Sequence, residues 1–286
     1  MKNSYLLLAA IFLILSCNSK DKEASQLLTI STPMDSILEH PEMDELPRDE
    51  KIKLLDSLTQ ILANGSNDTV SRSNIIQVAN HYFYLNEIDK YHDVSKQLVA
   101  MGDEANDTLD MARGYQYIGD YFTDRSIPDS SYFYFTKAEK LLAETDDREN
   151  FGRVKLKKGY LIYKINDLAS SEAIAIQALK IAHEVKDLTL EYECYNFLSS
   201  VLTAQNKYDE AIQYNEKALK TLDEFTDDPQ YFTLLKSQTY NSIGTVFMSK
   251  KEFKIAADHF KKGLEMPDLL TIHPAYYAYI WDNLIY

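Results

Sequence analysis

Glycine and proline are scarce in this chain, 8 and 7 of 286 residues. Tight turns draw on both, so their scarcity excludes a loop-rich or all-β architecture. Cysteine is rarer still, with two copies, Cys17 and Cys194. Positive charge is short as well: 30 Lys and Arg against 44 Asp and Glu leave a formal net charge of −14. A nucleic-acid surface needs clustered basic side chains to neutralise phosphates, and this balance argues against one. The apolar run at the start, Tyr5 to Leu15, is eleven residues long. At about 1.5 Å per helical residue it falls short of a hydrocarbon core of roughly 30 Å. Chemistry is equally thin. No glycine-rich phosphate loop follows a strand. None of the six histidines, His40, His81, His92, His183, His259 and His273, has another three or four residues away, the spacing of a helical metal site. The reading is of a non-catalytic chain with no cofactor and no metal.

What is present begins with the N-terminus. Lys2 supplies a positive start, Tyr5 to Leu15 an apolar stretch, and Ser16 a small residue before Cys17, the layout of a cleaved export signal. Ile14-Leu15-Ser16-Cys17 resembles the lipobox of bacterial lipoproteins, with Ile14 where Leu is usual. The resemblance implies that residues 1–17 are a signal peptide and that Cys17 becomes an acylated N-terminus. The protein would then be exported and lipid-anchored in a membrane, facing the periplasm or the cell surface. An ordinary secretory signal is the alternative. With Cys17 lipidated, Cys194 has no intrachain partner and reads as a small buried residue. Residues 18–48, polar and broken by Pro33, Pro41 and Pro47, read as a tether with one short helix near Met34–Glu39.

Residues 49–286 carry helical periodicity almost throughout, beginning with the stripe Ile52, Leu54, Leu55, Leu58, Ile61 and Leu62. A lattice of small residues organises them. Ala79, Gly119, Gly159 and Ser199 are 40 apart and Gly244 follows 45 later. Ser131, Ser171, Ala211 and Ala256 step by 40, 40 and 45, as do Ala138, Ala178, Ala218 and Gly263. Asp107, Asp147, Asp187 and Asp227 form a fourth row at 40. A fixed period of this size predicts an all-α, right-handed solenoid of antiparallel helical hairpins with a repeat of about 40 residues. The small residues let helix axes approach closely. The aspartates stand at the turns between hairpins, placed to cap free N–H groups.

These residues resemble the tetratricopeptide repeat. Tyr195, Leu198, Ser199, Leu202, Tyr208, Ala211 and Ala218 match one hairpin. Tyr240, Ile243, Gly244, Phe247, Phe253, Ala256, Phe260 and Gly263 match another, and Tyr115, Ile118, Gly119, Phe122, Ser131, Phe135 and Ala138 a third. The Gly159 hairpin departs with Lys158 at an apolar position, and the Ala79 hairpin departs with Tyr91 and Leu98 in place of small residues. The stretches Tyr132 to Ala138, Ser170 to Leu179 and Asp282-Asn283-Leu284 are also similar to the N-terminal sensory region of Bacteroidota regulators. There an exported array precedes a membrane helix and a histidine kinase or DNA-binding effector domain. Trp281 and Leu284 read as the start of a sixth, incomplete hairpin, as in a truncated chain; a short terminal helix folded back on the array is the alternative.

The family resemblance implies a binding groove lined by first-helix residues: Asn80, Tyr84, Arg113, Gln116, Asp120, Arg153, Lys157, Tyr160, Lys164, Asn196, Asn241 and Thr245. Within it Arg113, Arg153, Lys157 and Lys164 form a basic group suited to an acidic peptide or chain terminus. Salt bridges to neighbouring carboxylates are the competing use of those charges. The functional expectation is a protein-interaction or sensory array at the input of a signal-transduction regulator. A self-contained lipoprotein scaffold for envelope complexes is the alternative.

Overall fold

The computed structural model describes Leu38, Met43, residues 46–224 and residues 229–285. Cys17, its lipobox and Asp227 lie outside the described residues. Among the described residues there are helices and turns but no strands. None of these helices is long and apolar enough to cross a membrane.

The chain divides into two compact units, one ending at Thr145 and the other starting at Asp146. The first holds α1 (Arg48–Ala63), α2 (Thr69–Tyr84), α3 (Ile88–Ala105), α4 (Thr108–Asp124) and α5 (Pro128–Leu142). The second holds α6 (Arg148–Lys164), α7 (Leu168–Val185), α8 (Leu188–Ala204), α9 (Tyr208–Leu222), α10 (Pro229–Ser249), α11 (Phe253–Leu264), the short α12 (Leu269–Ile272) and α13 (Pro274–Ile285). Consecutive helices pack as hairpins: α2 with α3 and α4 with α5 in the first unit, and α6 with α7, α8 with α9 and α10 with α11 in the second. In the second unit the first helices α6, α8 and α10 also touch in succession.

The lattice of small residues is where hairpins close. A Cβ on Gly119 would sit 2.5 Å from Cδ1 and Cε1 of Phe135, which is fully buried. A Cβ on Gly244 would likewise run into the ring of Phe260. Each phenylalanine lies sixteen residues after its glycine, so the glycine makes a hole on the first helix for a ring on the second. Gly159 serves the neighbouring hairpin instead, with its Cβ position 3.0 Å from Cε1 of Phe197. In the Ala79 hairpin the larger Tyr91 and Leu98 are buried too, and the Tyr91 ring packs on Phe83 of α2 and on Tyr117 of α4.

The aspartates do cap. Asp107 accepts the N–H groups of Leu109 and Asp110, Asp147 that of Asn150, and Asp187 that of Leu190. Asp68 and Asp167 do the same for Ser71 and Ser170. The N–H of Ser71 is the main influence holding the Asp68 carboxyl below the usual carboxylate range. Turns inside the hairpins have their own row. Asn86, Ser126, Asn166, Asn206 and Lys251 all have positive φ, between 57° and 64°, and follow the same steps of 40, 40, 40 and 45.

Leu38 and Met43, from the stretch read as tether, are buried and belong to the core cluster that includes Leu55, Leu58, Ile75 and Leu98. His81 lies 3.2 Å from the Leu38 carbonyl oxygen through Nε2. In the second unit α13 packs on α11, with Ile280 fully buried beside Phe260 and Leu269. Trp281 stays 46% exposed.

Candidate functional site

The first helices present their residues in registers that follow the repeat. Asn80, Asp120, Tyr160, Ser200 and Thr245 form an outer row with steps of 40, 40, 40 and 45, and every member keeps some exposure. Gln116, Leu156, Asn196 and Asn241 form a deeper row.

In the first unit the expected groove residues are largely engaged. The Tyr117 hydroxyl donates to Asn80 Oδ1 at 3.0 Å. Burial, then the Asp120 charge, pushes the Tyr91 phenol well above its usual range. Arg113 stands 4.0 Å from Asp110, and Tyr84 is 84% exposed. Gln116 is buried, which corrects its placement as a groove residue. It falls on the stripe Ala112, Gln116 and Gly119, spaced four and three, that packs inward.

In the second unit Asn241 is buried for the same reason, on the stripe Ser237, Asn241 and Gly244, and its Oδ1 accepts from the Asn283 amide at 2.9 Å. Lys164 and Thr245 are exposed. Arg153 has a structural employment: its guanidinium meets Asp187, the cap of α8, at 2.5 Å and Glu149 at 3.3 Å, with Glu193 farther off at 3.9 Å. The first unit uses the same device. Arg72, 6% exposed, donates to Asp110 at 2.7 Å and to the cap Asp107 at 3.1 Å. An arginine of one first helix thus ties down the cap of the next, and charge from the basic row is spent inside the array.

The remaining groove residues of this unit converge. Tyr160 and Asn196 line a cleft of about 360 Å³ with Tyr192, Glu193, Ser200, Tyr231, Leu234, Leu235, Gln238 and Ser242. The cleft runs across α6, α8 and α10. Tyr160 and Tyr231 are each 41% exposed, and the Tyr160 ring packs tilted against Phe197 with ring centroids 4.0 Å apart. Tyr192 is buried and fixed by donating its hydroxyl to the Leu235 carbonyl at 2.9 Å. Burial raises the Glu193 carboxyl, while Arg153 and Lys157 pull it back down. The Glu193 charge acts in turn on Tyr160, whose phenol burial raises above its usual range. Asn196 Oδ1 is buried and accepts no hydrogen bond, an unmet acceptor beneath the cleft. Cys194, next to these residues, is fully buried, and burial drives its thiol far above the reactive range.

Sequence reasoning missed Glu193, Ser200, Gln238 and Ser242, although a signal existed for the first three. Glu193 and Gln238 follow Arg113 and Arg153 at 40 and 45, and Ser200 follows Tyr160 at 40. Tyr192 and Tyr231 carry no such signal. Among the described residues no group of three or more His, Cys, Asp and Glu could hold a metal ion.

The fold and the cleft together define a class: a helical hairpin array of tetratricopeptide type, with a polar, tyrosine-rich cleft on its first helices. Comparison with known proteins agrees. Residues 193–222 match the tetratricopeptide repeat family, the hairpin that supplies Glu193, Asn196 and Ser200. Among solved structures, BtubC (BKLC) from P. vanneervenii is similar, with a TM-score of 0.60 and 14% identity over 85% of this chain and 94% of that one. The apo form of RapI has a TM-score of 0.59 and 13% identity over 79% and 93% of the two chains. A signal transduction ATPase with numerous domains from Pyrococcus horikoshii, described as having a tetratricopeptide repeat sensor, has a TM-score of 0.55 and 16% identity. It is matched over 85% of this chain and 42% of its own. At these identities the likeness is one of fold. No curated protein matches the chain in sequence.

Proposed function

We propose that the chain is a non-catalytic binding array whose second unit holds a polypeptide partner across α6, α8 and α10. The observation that carries this reading is the cleft itself. It offers hydrogen-bonding side chains from two successive first helices, Asn196 and Ser200 on α8 and Gln238 and Ser242 on α10, beside the partly exposed Tyr160 of α6 and Tyr231 of α10. An extended backbone needs donors and acceptors along its length, and tyrosine supplies contact area at small entropic cost.

The wider setting belongs to the same proposal. The lipobox-like Ile14-Leu15-Ser16-Cys17 supports export and anchoring through an acylated Cys17, and the sensor described in the archaeal ATPase supports an input role in signal transduction. The preference for an acidic partner is not carried forward, because Arg153 is already held by Asp187 and Glu149.

The test is binding by the full chain with Asn196→Ala and Tyr160→Ala, against Lys220→Ala on the exposed side of α9. Polypeptide partners recovered by the wild type and by Lys220→Ala should be lost or strongly reduced with the two cleft variants, all variants keeping the wild-type helical spectrum. Undiminished recovery by both cleft variants contradicts the reading.

A further inference from the structure

We infer that the cleft on α6, α8 and α10 seats a cationic side chain of the bound polypeptide, a lysine or arginine, against the Tyr160 and Tyr231 rings and the Glu193 carboxylate. The inference deepens the proposed function and rests on it. Three tyrosines and one glutamate line this cleft, and two of the rings and the carboxylate are partly open to solvent. Aromatic faces attract cations, and more strongly once water is excluded. A nearby carboxylate adds a charge-assisted hydrogen bond.

The same chemistry recurs within the protein. Lys137 lies 4.8 Å from the ring centroids of both Tyr115 and Phe133, and Lys217 lies 4.6 Å from that of Tyr214. The first is an ammonium between two aromatic rings, as proposed for the cleft.

The charges around the cleft allow a guest cation. Glu193 is attracted by Arg153 and Lys157 and repelled by Asp187. Arg153, however, sits 2.5 Å from Asp187 and 3.9 Å from Glu193, so its short contact is made elsewhere. Counting Asp187 and Glu193 against Arg153 and Lys157, the charges that act on the carboxylate balance and present no net repulsion to a guest cation. The whole chain, at −14, steers cationic partners toward it and acidic ones away. The register explains the change of sign. Glu193 stands where the two preceding hairpins carry Arg113 and Arg153, so the third hairpin breaks the basic row at the point where the cleft opens.

The probes are the Nα-acetyl methylamides of lysine, arginine, norleucine and glutamate, titrated into the full chain with labelled tyrosine rings and followed by NMR. Tyr160→Phe and Tyr231→Phe assign the two resonances. The lysine and arginine probes should shift both signals, and norleucine, of similar length but uncharged, should bind far more weakly. Glu193→Gln should weaken the lysine probe by at least about tenfold while the melting curve stays near that of the wild type. Equal binding of norleucine, a preference for glutamate, no shift with any probe, or an unaffected Glu193→Gln would overturn the cation seat. A polypeptide still held at the cleft in those cases leaves the binding-array reading intact. Cation binding with no polypeptide held anywhere defeats that reading and leaves the seat standing.

Discussion

At the scale of single residues the fold depends on backbone positions that composition conceals. Eight glycines serve a chain with many turns, and the hairpin turns are made instead by Asn86, Ser126, Asn166, Asn206 and Lys251 in the left-handed region. Asparagine tolerates that region better than most side chains. Ser126 is exposed, so changes there act through the backbone. Ser126→Val should lower unfolding stability by about 1–2 kcal/mol relative to Ser126→Gly, because a β-branched residue fits the left-handed region poorly. Denaturant unfolding of the two variants measures the gap, and coincident curves would show that the turn conformation is unstrained. This row was present in the sequence at the same steps as the small residues. It went unread because its members differ chemically and share only a dihedral angle. The aspartate caps were legible, since capping is a property of residue type and position. The fate of Arg153 was not. Its partner Asp187 lies 34 residues away, a pairing that emerges only once one hairpin is stacked on the next.

At the scale of helices, size complementarity sets the register. Phe135 and Phe260 fill the space that Gly119 and Gly244 leave open. The small-residue rows therefore revealed the hairpins directly, as a close helix approach tolerates little else. Ala218 is fully buried in the same lattice, while Lys220, two residues along α9, is exposed. Ala218→Leu and Gly244→Leu should each cost about 1–3 kcal/mol through overpacking. Lys220→Leu should stay within about 0.5 kcal/mol of wild type. Three equal melting temperatures would sink the register. The family resemblance, and not the rows, suggested which first-helix positions line a groove. Neither foretold that Gln116 and Asn241 turn inward, because a polar residue on a buried stripe looks the same in sequence as one on a groove. Asn241 is buried with a partner, Asn283, 42 residues away.

At the scale of the molecule, an acidic helical array presents a tyrosine-rich cleft in its second unit where side chains from three hairpins meet. Arg153, noticed first in the sequence for its charge, serves the stacking of hairpins there, and the cleft's own chemistry comes from Tyr160 and Asn196 together with Glu193 and Gln238, which continue the register of Arg113 and Arg153. The most direct measurement is site-specific photo-cross-linking. A photoreactive residue at Ser200 or Gln238, both lining the cleft, is compared with one at Lys220 or Glu216, exposed on α9, in the full chain expressed in its native cells. Cross-links to one polypeptide from both cleft positions, absent from both α9 positions and suppressed by the lysine probe, are the predicted result. Cross-links from α9 with none from the cleft would contradict the account.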